Sequence, residues 1–164
     1  MAYFLNLFTP ETWSLFRERG ASVSSFTEDL RTRAHASIKP GNIFVCYMAG
    51  GVSCWCGALR IASDAYDRKP NPEDPMPWVV HFKVEPIVIL DPEYSIPIKN
   101  DKIWNTLELT KDIAIGAPGW GNRVRKSLRK IHDPDGDFLV SRLKQQQGES
   151  RIDYPLTNAD QRRL

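Results

Sequence analysis

Three cysteines, three histidines and a scatter of carboxylates are the residues of this chain that could do chemistry, and their spacing decides whether they do. Cys54-x-Cys56 together with Cys46 offers three thiols, but no fourth ligand stands at the spacing a structural zinc site requires. His35, His81 and His132 lie in unlike settings and complete no metal set. No G-x-S-x-G elbow, Walker loop or G-x-G-x-x-G turn occurs. Gly116-Ala117-Pro118-Gly119 lacks the strand–loop–helix unit and the following Lys-Ser/Thr of a phosphate loop. Glu73 and Asp74 are neighbouring carboxylates in a Pro-rich stretch and need no catalytic explanation. No catalytic residue, metal or cofactor is expected.

What remains is aromatic and basic. Five tryptophans are spread over five segments, with Tyr47, Tyr66 and Tyr94 beside them. Rings that bound a pocket, with cations nearby, suit a flipped or single-stranded base: the rings stack on its faces while amides and hydroxyls read its edge. Any one tryptophan, taken alone, is better explained as filling a small core. The net charge of +2 is uninformative, but its distribution is not. Residues 1–120 carry 12 Lys/Arg against 14 Asp/Glu, whereas 121–164 carry 10 against 6. The stretch from Gly121 to Lys130 holds five cations and no acid. That is either a footprint for a polyanion or a solvated basic helix face.

The elements that must position these groups centre on Asn42–Tyr66. Two apolar runs, IFVCYM and VSCWCGALRIA, flank Ala49-Gly50-Gly51, a hairpin signal. Neither run alternates strictly, so both faces are expected to be covered. Gly57 marks a bend or a close approach to the strand. Ahead of this hairpin, Tyr3–Phe8 reads as a strand. Thr9-Pro10 opens a helix that turns Trp13 and Phe16 inward and ends at Gly20. Residues 21–26 read as a small-residue loop, followed by a surface helix through Ala36 capped by Ser25 or Thr27.

Beyond the hairpin, Asp67–Pro77 is a Pro-rich loop. Trp78–Val84 is a strand broken at Pro86 and resumed over 87–90, and Ser95–Ile98 is extended. Ile103, Trp104 and Leu107 suggest a short helix. Val124, Leu128 and Ile131 stand at helical spacing, and Asp133 opens a last amphipathic helix whose apolar side is Phe138, Leu139, Leu143 and Val140. Gln145 onward reads as a tail.

A chain of 164 residues with 41 % hydrophobic content suits one compact unit. We expect an α+β fold: a partly open antiparallel or mixed β-barrel of five to six strands flanked by helices. Residues 1–147 form the domain, with a helical extension over about 99–147, and 148–164 are a tail or linker. No apolar run is long enough to span a bilayer, and MAYFLNLF lacks the features of a signal peptide. An odd, closely spaced cysteine set fits reduced thiols and a cytoplasmic location.

The segments YFLNLFTPETW, IKPGNIFVCYMAGGVSCWCGALRIASDAYD and VVHFKVEP resemble the EVE domain, a relative of the YTH and ASCH domains in the PUA-like superfamily. GWGNRVRKSLRKIHDPDGDFLVSRL resembles the extension of longer EVE proteins, so the likeness spans roughly residues 3 to 145. It implies a PUA-like barrel that extrudes a modified base of DNA into an aromatic pocket, without catalysis. The bases concerned are 5-methylcytosine, 5-hydroxymethylcytosine or N6-methyladenine. It further implies the sensor of a modification-dependent restriction system, its nuclease fused or on a separate chain. An RNA-binding module acting on tRNA or rRNA is the alternative. By position, Asn6 would present an amide to the base edge. Ser22, Val23 and Ser24 fall where relatives often carry a pocket aromatic, and Trp55, Tyr66 and Trp78 would supply the rings. Trp120, Arg123, Arg125, Lys126 and Ser127 would contact phosphate.

Overall fold

The computed structural model describes residues 1–147; the expected tail at 148–164 lies outside the described residues. The elements are β1 (Tyr3–Phe8), α1 (Pro10–Glu18), β2 (Val23–Thr27), α2 (Arg31–Ser37), β3 (Ile43–Met48), β4 (Cys54–Ile61), β5 (Tyr66–Asp67), β6 (Trp78–Ile89), β7 (Ile96–Pro97), α3 (Asp101–Thr106), β8 (Lys130–Ile131) and α4 (Asp133–Gln147). Six strands follow the order β2-β6-β4-β3-β1-β8, with β5 attached to β6 and β7 to β4. The result is a curled, partly open mixed sheet flanked by helices, an α+β fold as expected.

Pairing is antiparallel except between β1 and β3, which run parallel. The crossover between those two strands holds α1, β2 and α2. α1 starts as its sequence dictates. Thr9 accepts from the Thr12 amide at 3.1 Å, Thr12 returns the bond to the Thr9 amide at 2.8 Å, and Pro10 takes the first helical position. The turn between β3 and β4 is longer than the Gly-Gly pair alone, because Gly50, Gly51 and Ser53 all adopt positive φ and β4 begins only at Cys54.

Both faces of the sheet are covered. One packs Phe4, Phe26, Phe44, Phe82, Cys54 and Cys56 against Trp13 and Phe16 of α1 and Ala34 of α2. The other packs Leu5, Val45, Tyr47, Trp55 and Val88 against Ile103 and Trp104 of α3 and Leu139 and Leu143 of α4. Residues 99–147 therefore supply the cover of the second face. Gly57 permits a close approach: a Cβ there would meet the Trp13 ring at 2.9 Å and the Val88 carbonyl oxygen at 2.7 Å. Trp13 is fixed in that slot by donating from Nε1 to the Leu90 carbonyl at 3.0 Å.

Four expectations change. Residues 23–27 form an edge strand, not a loop, because Ser24 and Phe26 point inward opposite Phe82 and Val80. Residues 124–131 form no α-helix. A 3₁₀ turn ends at Val124, Leu128 takes φ of 62°, and the chain then pairs with β1 through Leu128 N–H to Leu5 O at 2.7 Å and Leu5 N–H to Arg129 O at 2.8 Å. β6 passes straight through Pro86, which lies opposite Leu59 where the register with β4 shifts. α4 continues to Gln147, and buried Gln146 donates to the Tyr94 carbonyl at 3.1 Å.

Candidate nucleic-acid interface

The sheet is open between its two ends, where β1 with β8 faces the edge strand β2. No backbone ladder joins them among the described residues; a side-chain bond does. Asn6, 2 % exposed, donates from Nδ2 to Ser24 Oγ at 2.7 Å. A buried amide needs such partners, so β1 and β2 are held at a fixed separation. On the β1 side of the opening, Ser127, just ahead of β8, accepts from the Leu7 amide at 2.9 Å.

Two adjoining cavities lie along this opening. The larger, about 420 Å³, is walled by Phe8, Thr12, Leu15 and Phe16 on one side and by Ser22–Ser25, Tyr66, Trp78 and His81 on the other. The smaller, about 280 Å³, is lined by Asn6, Phe26, Leu30, Met76 and Ser127 among others. Phe8, Thr12, Ser25 and Trp78 belong to both. Volumes of this size fall in the range of small-ligand pockets, about 300–1,000 Å³.

Trp78 is half-buried and no other ring stacks on it among the described residues. Tyr66, Ser25 and His81 form a row across three strands, since Ser25 and Tyr66 both pair with His81. The Tyr66 and His81 rings lie 5.6 Å apart at 30°, and the Arg68 guanidinium sits 5.4 Å from the Tyr66 centroid. Burial first, then the charge of Arg68, holds His81 below its ordinary pKa. Its Nδ1 is 2.7 Å from Ser25 Oγ, while its buried Nε2 has no partner among the described residues. Arg19, Arg68 and Lys83 surround the larger cavity. Arg19 pairs with Asp74 at 2.6 Å, while Arg68 and Lys83 make no ion pair among the described residues.

Sequence reasoning named Asn6, Ser22, Val23, Ser24, Tyr66 and Trp78, and the structure brings all six to these two cavities. Trp55 is elsewhere. It is wholly buried on the opposite face, edge-on to Tyr47 with centroids 5.0 Å apart, because alternation along β4 sends Cys54 and Cys56 one way and Trp55 the other. Ser127, expected among the phosphate contacts, lines the smaller cavity beside Asn6. Trp120 and Arg123 are spent internally: Trp120 packs edge-on against Trp104 at 5.6 Å, and Arg123 reaches Asp112 at 2.5 Å and the Leu109 carbonyl at 3.1 Å. Arg125 and Lys126 are exposed next to Ser127. Arg19, Arg68, Lys83 and His81 were missed. They are scattered singly along the chain, and they meet only where the register of β2, β5 and β6 comes up against the end of α1.

Cys46, Cys54 and Cys56 are buried in the core, and burial pushes the Cys46 and Cys56 thiols upward in pKa. Among the described residues no cluster of metal-ligating side chains occurs, and no helix is long and apolar enough to cross a membrane.

No protein-family model matches the sequence, and no curated protein matches it either. Solved structures do match in fold. The Mmi1 YTH domain superposes with a TM-score of 0.62 at 12 % identity, over 90 % of this chain and 91 % of that one. The YTH domain of Zygosaccharomyces rouxii MRB1, solved with N6-methyladenosine RNA, gives 0.57 at 13 %, covering 87 % and 86 %. Human THYN1, solved with DNA containing 5-methylcytosine, gives 0.57 at 16 %, covering 92 % and 100 %. The chain therefore has the fold shared by YTH domains and THYN1.

Proposed function

We propose that this chain is a non-catalytic reader of a modified base in DNA, receiving the base, turned out of its duplex, in the paired cavities at the sheet opening. The observation that carries the reading is Trp78. A half-buried indole with no ring upon it, shared by two cavities that also hold a buried amide and four serine hydroxyls, is a stacking surface in need of a flat partner. That two proteins of this fold were solved with methylated nucleic acids supports the reading.

In this scheme Trp78 and Tyr66 face the base, contributing roughly 1–3 kcal/mol per stacked base. Asn6, Ser24, Ser25 and Ser127 surround its polar edge. Arg19, Arg68, Lys83, Arg125 and Lys126 hold phosphates, and the binding is correspondingly salt-dependent. A buried 5-methyl group adds about 0.8 kcal/mol, which is about fourfold in affinity. Larger discrimination requires that the modified base exclude water its unmodified form admits. The biological setting that suits such a reader is sensing for a modification-dependent nuclease on a fused or separate chain.

The test is a titration of the chain with duplex DNA carrying 5-methylcytosine, 5-hydroxymethylcytosine or N6-methyladenine, the unmodified duplex, and N6-methyladenosine RNA, at two salt concentrations. Preference for one modified duplex supports the proposal. Preference for the RNA replaces DNA by RNA as the ligand, and equal affinity for all five removes the base-reading role.

A further inference from the structure

Receiving a displaced base leaves open what fills the space vacated in the duplex. The geometry points to Met76 as a wedge that enters that gap, which makes double-stranded nucleic acid the substrate class; this inference rests on the reading just proposed.

Four large hydrophobic side chains are exposed among the described residues: Met1, Val23, Met76 and Ile115. A singly exposed apolar residue is ordinary. Met76 is set apart by where it stands and how it is held. It is 43 % exposed yet lines the smaller cavity, two residues before Trp78. Pro75 and Pro77 flank it. Each proline fixes its own φ, and Pro77 also restricts Met76 to extended backbone.

The loop behind it is braced as well. Arg19 on the cavity rim holds Asp74 at 2.6 Å, the Asn71 carbonyl accepts from the Asp74 amide at 3.0 Å, and the Trp78 amide donates to the Met76 carbonyl at 2.9 Å. A long, unbranched, polarisable side chain is thus displayed on a backbone that has little freedom left to lose. Apolar side chains inserted between base steps partly replace lost stacking, and base extrusion needs such compensation. Val23, 41 % exposed on the larger cavity's rim, gives the mouth an apolar residue on a second element.

The experiment compares wild type, Met76→Ala and Met76→Leu on a duplex with a central 5-methylcytosine and on the same methylated strand alone. Thermal unfolding of each variant checks that the fold is intact. We expect Met76→Ala to weaken duplex binding by about tenfold while single-strand affinity stays within about twofold, and Met76→Leu to restore most of the loss. Equal weakening on both ligands, or no weakening on the duplex, overturns the wedge and leaves the cavity reading standing. Wild-type protein that binds methylated and unmodified duplexes alike overturns the cavity reading, and the wedge with it.

Discussion

Trp78 and Trp55 show what a side chain's surroundings do to its role. Both are tryptophans at strand positions near glycine- or proline-rich turns, and the sequence alone gives no reason to separate them. Trp55 sits in a β4 run whose two faces are both covered, so alternation is silent about which way it points. Trp78 follows a proline at the first position of β6, where the sheet ends and solvent begins. Trp78→Ala is expected to weaken binding of the preferred modified duplex about tenfold or more with little change in melting temperature, measured by titration and by thermal unfolding. Asn6→Ala is expected to cost stability as well as binding. Removing the amide leaves the buried Ser24 hydroxyl without its donor and loosens β1 from β2, at a cost of about 1–3 kcal/mol in urea unfolding.

At the scale of elements, two misread segments have one cause. Residues 21–26 read as a loop because serine is a poor strand former, yet in β2 the polar side chain of Ser24 is used by Asn6 across the opening. Val124, Leu128 and Ile131 looked helical because their spacing fits a turn of 3.6, yet each is buried from a different local conformation. In both cases a partner distant in sequence overrides local preference. The hairpin, α1, α3 and α4 were legible because their caps, glycines and apolar periods agree with their tertiary surroundings. Packing of α4 on β1 is tight enough to test. A Cβ at Gly136 would lie 2.2 Å from the Tyr3 ring, which is itself buried against the sheet. Gly136→Ala is expected to destabilise the fold by about 1–3 kcal/mol or more, read from the denaturant midpoint.

Over the whole molecule, charge and pH report on the two covered faces separately. Cations on the cavity side are collected from three elements and should act together. Arg68→Ala with Lys83→Ala is expected to lower affinity for modified and unmodified duplex equally and to reduce the salt slope by about two. On the opposite side, burial first and then its hydrogen bond to Asp137 raise the Tyr3 hydroxyl to about 12. The native state thus favours the protonated phenol, and stability present below pH 10 is lost as pH rises from about 10 to about 12. Tyr3→Phe should flatten that limb of the stability profile, as followed by denaturant unfolding across that range. The architecture could be inferred from the order and character of segments. The identity of the rim cations could not, because it depends on which residues stand opposite one another across β2, β6 and β5 and on where the end of α1 meets them.

The Asn6–Ser24 bond gives the scaffold a gauge. A split ring keeps its shape wherever it is riveted, while the width of its gap follows the length of the single fastener that bridges it. Exchanging that pair for a longer or shorter one would resize the slot while leaving every ladder of the sheet in register. One framework could in this way be fitted to guests of different girth by altering two residues.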